Sequence, residues 1–391
     1  MSAHRFASTS YVDDDPRAAA REAAAELRRQ LGGPPDWVVV FFSSEMAPEA
    51  VVAGLYEVLP AAVKLVGCSS YAEIDSSEAL TRSVSLLGGR SPALEVMTVA
   101  LLPEGRPSFA VGQALGAQLA AFAPSLVVML PDILTVNATQ LLRGVQSVLG
   151  SGFPIVGGAA ADGGRFERTY QLCGQALQHS GVVALALKGP LRIATAARSG
   201  YTPVSLPRTA SRIENGNVLL ELDGRPALDV YREFLGPRAG EIPAVSIEFP
   251  LGVIPSGHEE APALTRAIFA VDEARRALVL GGDLPERGQV RILSATRREV
   301  LAGARAATEL ALQALPQPDF ALVFSCLSRK VALGLQYKDE CAGALALLPA
   351  SVPTAGFYTF GELSPRDGIS EHHESTFTLV LVQVAADSGG P

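Results

Sequence analysis

The chain is predicted to be an α/β protein in which a helix-strand-helix-turn-strand unit is repeated, giving mixed sheets with helices packed on them. Three observations lead there. Apolar strands such as WVVVFF at 37–42 and FALVFSC at 320–326 carry no polar face, as strands covered on both sides must. Such strands alternate with segments of helical apolar spacing. A glycine-centred turn closes each alternation in the same order: GCSSYAEI at 67–74, GGAAADGG at 157–164 and GFYTFGEL at 356–363.

The first unit opens with a helix over 16–33, where Pro16 supplies an entry signal and Gly32-Gly33 an exit. A strand follows at 37–44, then a helix over 49–59 with Val52, Leu55 and Leu59 on one stripe, and LVGCSSYAEI brings the chain back. The segments at 81–89 and 93–102 read as a strand pair whose short connection predicts mutual antiparallel pairing. In the second unit a helix over 111–122, a strand at 125–132 and a helix capped by Asn137 lead to the turn FPIVGGAAADGG. SGVVALALKG and LRIATAAR supply the second strand pair. The third unit has a helix over 296–315, a strand at 319–326, a helix containing Glu340, the turn GFYTFGEL and the strand STFTLVLVQV. Between units two and three, Asn215-Gly216 and Asp223-Gly224 mark tight turns and Pro226 opens a short helix.

At 391 residues the chain exceeds one ordinary core, so two domains are expected, divided near 236–243. With 48% hydrophobic and 18% charged residues it is globular, and scarce aromatics leave Ala, Val and Leu to fill the core. A net charge of -8 argues against nucleic acid or an anionic membrane surface as partner. No apolar run is long enough to cross a bilayer, and the first fifteen residues lack the pattern of a signal peptide, so a solvated, disordered arm and a cytoplasmic location are expected. The four cysteines, Cys68, Cys173, Cys326 and Cys341, have no CxxC spacing and read as reduced thiols.

The same motifs resemble those of the FIST proteins. GCSSYAEI is similar to that family's GCSTAGEI turn, FPIVGGAAAD to its GGAAGD turn, and NGNVLLELDGRPALDVYREFLG to the close of its N-terminal domain. FPLGVIP, the stretch from LTRAIFAVDEARR to VRIL, FSCLSR and GFYTFGEL follow in family order. The resemblance implies an N-domain over 16–238 after the arm, a C-domain over 239–387, and a non-enzymatic sensory role. Its implied ligand is small, such as an amino acid or related metabolite, with the output read by a separate signalling partner. A subset of the family binds haem and senses nitric oxide with a histidine kinase, which makes haem the one cofactor to weigh; otherwise none is expected. The sequence departs from the family at Ala72, which replaces a glycine, and at His373-Glu374-Ser375-Thr376, where a carboxylate replaces an amide of HNQT.

The polar residues gathered at the third turn make it the expected ligand site, with the first two turns as scaffold. Arg329 offers a fork for a ligand carboxylate, against the alternative of an ion pair with Glu340 or Glu362. Glu362, like Glu73, either accepts a ligand ammonium or satisfies turn backbone. Tyr358 either lines a pocket or fills the core. His373 could contact a ligand, bind haem iron or act as base to Cys326, and a backbone-bonded imidazole is the plainer reading. Cys326 with His373 also admits a thiol hydrolase, though no protease-type signature surrounds it. The site residues expected to bind ligand are thus Cys326, Arg329, Glu340, Tyr358, Glu362 and His373, with His179 and His258 as further haem candidates. GGAAADGGR lacks the lysine and spacing of a phosphate loop.

Overall fold

The computed structural model describes residues 4–254 and 264–385; His258 lies outside them. The first unit comprises β1 (Arg5–Val12), α1 (Pro16–Leu31), β2 (Trp37–Ser43), α2 (Pro48–Tyr56), β3 (Lys64–Ser70), β4 (Glu73–Ile74), β5 (Ala79–Leu80) and β6 (Ser83–Arg90). The second comprises β7 (Glu95–Leu101), α3 (Ser108–Phe122), β8 (Leu126–Pro131), α4 (Ala138–Leu149), β9 (Ile155–Gly158), β10 (Gln171–Cys173), β11 (Ala176–Gln178) and β12 (Val182–Lys188). After β13 (Leu191–Arg198) comes an inserted region. It holds β14 (Thr202–Pro203), β15 (Arg208–Glu214), β16 (Val218–Leu222), β17 (Arg225–Pro226), α5 (Ala227–Leu235), β18 (Leu251–Ile254), β19 (Leu264–Arg266), β20 (Ile268–Asp272), β21 (Ala277–Leu280) and β22 (Gln289–Ser294). The third unit resumes with α6 (Arg297–Ala314), β23 (Phe320–Cys326), α7 (Leu327–Leu333), α8 (Tyr337–Leu345), β24 (Thr354–Thr359), β25 (Glu362–Arg366), β26 (Ile369–His373) and β27 (Phe377–Val384).

Local chemistry places these helices where the sequence puts them. Asp15 caps α1 through Arg17 N–H and Asn137 caps α4 through Gln140 N–H, while Thr296 and Glu299 form a reciprocal capping box on α6. Gly32 ends α1 in a left-handed conformation, φ +66°.

The three units exchange hairpins in a closed cycle. The sheets run β1-β6-β2-β3-β10-β11, β7-β12-β8-β9-β25-β26 and β13-β27-β23-β24-β4-β5. In each, the two central strands are parallel and the remaining pairs antiparallel. Unit one lends its hairpin β4-β5 to the third sheet, unit two lends β10-β11 to the first, and unit three lends β25-β26 to the second. The register repeats too: Leu172, Leu363 and Ile74 face Gly67, Gly157 and Gly356, the glycines of the three turns. A side chain there would meet the carbonyl oxygen of Val40, Met129 or Val323 on the adjoining strand at 2.4, 2.0 and 2.0 Å, so the strands approach as only glycine allows.

Apolar residues from all three sheets share one central core, with Trp37, Phe41, Phe320, Phe324 and Phe357 at its centre. Phe41 stacks on Phe357 at 4.6 Å. The outer faces are covered by α1-α2, α3-α4 and α6-α8 respectively. The strands therefore bury both faces, which is why their sequences are continuously apolar.

Two expectations need correction. Arg5–Val12 is not an arm but a strand fully registered against β6, with Ala7 and Thr9 turned inward; two small residues in a polar stretch leave too weak an alternation to read. The segments at 81–89 and 93–102 do not pair with each other, because β6 joins the first sheet and β7 the second. Likewise β12 and β13 enter different sheets, so these short connections carry the chain between sheets around the core. The expected division at 238/239 lies within the inserted region. A fourth sheet of nine strands is drawn from both sides of it, ordered β19-β18-β22-β15-β16-β21-β20 with β14 and β17 attached. The tight turns at Asn215-Gly216 and Asp223-Gly224 are as expected, with φ positive at all four residues.

Candidate functional site

A cavity of about 770 Å³ lies at the carboxyl ends of β8, β23 and β24, roofed by the 3-10 turn Ala244–Ile247 and by β20 of the fourth sheet. Carboxyl ends of sheet strands are where open α/β folds place ligands. Ile133 and Leu134 follow β8, Leu327 and Ser328 follow β23, and Phe360 follows β24; Ala267, Ile268 and Phe269 close the opposite wall. Its described walls hold no lysine, arginine or histidine.

Gly164 of the second turn, expected as scaffold, lines this cavity, as does Phe166 two residues beyond it. Asp162 is the organiser. Its buried carboxylate accepts the backbone N–H groups of Arg165, Phe166, Glu167 and Arg168 at 3.0, 2.9, 2.7 and 3.0 Å. That wrap holds Phe166 at φ +55°, a left-handed conformation that costs a non-glycine residue about 1 to 2 kcal/mol. Phe166 then stacks on Phe360 at 4.4 Å with rings 10° apart, and meets Phe269 at 5.6 Å. Asp162→Ala is expected to free four amides, lower stability by about 1 to 3 kcal/mol and speed hydrogen exchange across 163–168. Unchanged exchange in that segment would show that the loop is held by something else.

Among the residues expected to bind ligand, only Cys326 lines the cavity. Burial, with the Glu362 carboxyl adding, pushes its thiol well above the ordinary range. His373 lies elsewhere, with Nε2 3.0 Å from the Ser364 carbonyl oxygen, and burial pushes its pKa down to about 4. A thiolate-imidazolium pair is not assembled by these two.

Arg329, Glu340 and Tyr358 do come together, but behind the third sheet rather than in the cavity. Arg329 is fully buried; its Nε donates to Glu340 at 2.8 Å, Nη2 to the Val300 carbonyl at 2.7 Å and Nη1 to that of Ser375 at 3.2 Å. Glu340 also accepts from Ser325 at 2.8 Å and from the Tyr358 hydroxyl at 2.9 Å. The fork offered to a ligand is taken up by the ion-pair alternative, because a strand-end arginine on the helix side finds carbonyls and Glu340 before any solvent-borne group.

Glu362 sits in a cradle of hydroxyls, accepting from Thr359 and Thr376 at 2.6 Å each and from Thr376 N–H at 3.2 Å. Glu73 repeats this with Ser70 and Ser83, and Gln171 takes the corresponding place in the remaining sheet. Burial pushes Glu362 up to about 8 and Glu73 up to about 7. Both satisfy turn backbone and hydroxyls, the alternative set beside ligand binding.

The residue that sequence reasoning did not place in the site is Glu374. It lines the cavity and is 1% exposed; Oε2 accepts Ala267 N–H at 3.1 Å, and Oε1 has no partner among the described residues. Burial pushes it up to about 7, against the pull of Arg266. A side chain at Gly281 would come within 1.8 Å of Oε1, so that glycine makes room for it. The available signal was the carboxylate standing where the resembling family has an amide.

The described residues around the cavity do not fit haem. His372 and His373 are buried outside the cavity walls, His179 is exposed beyond them, and burial raises the Cys326 thiol, so the described walls offer neither imidazole nor ready thiolate to iron. No group of acidic, cysteine or histidine side chains suited to a metal occurs among the described residues. No described helix is long and apolar enough to cross a membrane.

Comparison with known proteins matches residues 36–225 to the FIST N domain and 227–365 to the FIST C domain. An uncharacterized protein of Mycobacterium tuberculosis is 28% identical over 384 residues, covering 94% of this chain and 96% of the relative. One of Mycobacterium bovis is 27% identical over 387 residues, with 94% and 96% covered. Among solved structures, that of PurLQS from Thermotoga maritima is 9% identical with a TM-score of 0.22, covering 97% of this chain and 72% of that one, a likeness too weak to carry argument.

Proposed function

The chain belongs to the FIST family, with the N and C domains in order, and on that premise we propose that it is a cytoplasmic sensory protein that binds a small metabolite without catalysis. One observation carries the reading: the cavity takes walls from both family segments. Ile133, Leu134, Gly164 and Phe166 come from the stretch matching the N domain; Pro243, Ile268, Phe269, Cys326 and Phe360 come from that matching the C domain. A ligand there contacts the α/β core and the fourth sheet together, so occupancy biases how the two are held. The non-catalytic reading is supported by the described walls, where the Cys326 thiol is raised by burial, the Ser246 and Ser328 hydroxyls are engaged, and no imidazole lines the cavity. Output then passes to a separate protein that reads the ligand-bound surface.

A thermal-shift screen over amino acids, their amine derivatives and organic acids tests this. A ligand at a hundredfold its Kd adds about 2.7 kcal/mol to stability, a readily measured rise in Tm. Phe269→Ala is expected to weaken the responding compound by about tenfold or more, from loss of roughly 1.5 kcal/mol of aromatic contact. A panel without any response, or a Phe269→Ala protein that responds like the parent, would remove the reading.

A further inference from the structure

Resting on the cavity as the ligand site, we propose that it selects a flat, ring-bearing apolar amine and discriminates against compounds carrying a free carboxylate, the intact amino acids included. The walls argue the ring. Phe166 and Phe269 stay 44% and 39% exposed although each touches another ring, so their open faces are free to take a planar group against the Phe166-Phe360 stack. Ile133, Leu134, Ile268 and Leu327 supply the remaining apolar enclosure.

The charged groups argue the amine. Removing a carboxylate from water requires a cation or several donors to replace its hydration, and the described walls hold no cationic side chain. Arg266, whose charge acts on Glu374, directs Nη1 to the carbonyls of Thr265 and His372 at 2.9 and 3.0 Å and Nε to that of Asp283 at 2.9 Å. The wall hydroxyls are engaged as well: Ser246 Oγ donates to the carbonyls of Pro243 and Ile268, and Ser328 Oγ lies 3.0 Å from Ser375 Oγ. The one carboxyl side chain of the described walls is Glu374, whose Oε1 lacks a hydrogen-bond partner among the described residues. An incoming ammonium satisfies that acceptor and holds the carboxyl ionised, and exposed aromatic faces favour a cation in addition. An incoming carboxylate disfavours the ionised form of Glu374 and meets no cationic side chain among the described walls.

Four indoles of one ring size separate these terms: tryptamine, 3-methylindole, tryptophan and indole-3-acetate, titrated calorimetrically into the full-length protein. Tryptamine is expected to bind tightest, 3-methylindole about tenfold weaker, and the two carboxylate-bearing compounds at least tenfold weaker again. Glu374→Gln should reduce tryptamine affinity at least tenfold more than that of 3-methylindole, in protein whose circular dichroism and Tm show it folded. Should that variant not fold, the ranking of the four compounds on the parent decides alone. Indole-3-acetate binding as tightly as tryptamine overturns the inference. So does a tryptamine preference that survives Glu374→Gln. If none of the indoles binds while another compound raises Tm in a manner that Phe269→Ala weakens, the inference falls and the ligand site stands.

Discussion

Arg329→Ala is expected to cost about 3 to 5 kcal/mol of folding stability, read as a lowered urea midpoint at unchanged m-value, rather than to produce a folded protein blind to ligand. The guanidinium and Glu340 are both fully buried, 2.7 Å apart, and the arginine also satisfies the carbonyls of Val300 and Ser375. Removing it leaves the Glu340 carboxylate without its counter-ion and the carbonyls of Ser199, Val300 and Ser375 without this donor in a dry interior. The Coulomb gain of the intact pair is small beside the penalty of stranding one member, so the double variant Arg329→Met/Glu340→Gln should recover a large part of the loss. The amide oxygen of the introduced glutamine can still accept from Ser325 and Tyr358, whose hydroxyls donate to Glu340 at 2.8 and 2.9 Å. A stable Arg329→Ala protein that had lost its ligand response would return this arginine to the site and count against the placement behind the third sheet.

The same residues show what a sequence can and cannot disclose here. Strands β2, β8 and β23 and their helices are visible as local runs, because burial on both faces leaves no polar position to interrupt them. The three turn glycines are visible as well, since each is forced by the carbonyl of a neighbouring strand. The exchange of hairpins is not. It depends on two-residue strands such as Glu73–Ile74 meeting Gly356 and Phe357 nearly three hundred positions away, and nothing local marks that pairing. The site was half visible for a related reason. Cys326 stands at a strand end, where a cavity can be expected. Phe166 and Phe269 sit in charged surroundings, RFER at 165–168 and IFAVDEARR at 268–276, and the Asp162 wrap and the fourth sheet bring them together. Arg329 was correctly linked to Glu340 as one alternative; what sequence could not supply was the side of the sheet on which they meet.

Stability is expected to fall as pH rises from 6.5 to 8.5, and Glu362→Gln should flatten that fall. The sign follows from three buried carboxyls. Glu73, Glu362 and Glu374 hold their protons to about 7, 8 and 7 in the folded protein, whereas an unfolded carboxyl releases its proton near 4.5. Their contribution is fully present below 4.5 and is lost as pH rises through 7 and 8, at about 1.4 kcal/mol per pH unit for each proton the folded state retains. His372 and His373 act oppositely on the acid side. Burial pushes them down to about 3 and 4 from 6.5, so their contribution is present above 6.5 and lost as pH falls through those values. Between 4.5 and 6.5 the two groups partly cancel; above 6.5 the carboxyls act alone, which fixes the window for urea denaturation. Glutamine is a suitable probe because the chain already uses it: Gln171 stands at the position equivalent to Glu362 and Glu73, and its Nε2 donates to Thr169 Oγ1 at 2.9 Å. In Glu362→Gln the new amide can likewise donate to Thr359 while its oxygen accepts from Thr376, so the cradle is kept and only the titration is removed. If the slope between pH 6.5 and 8.5 is the same in parent and variant, the Glu362 carboxyl is ionised in its threonine cradle and the hydroxyls, not burial, decide its charge.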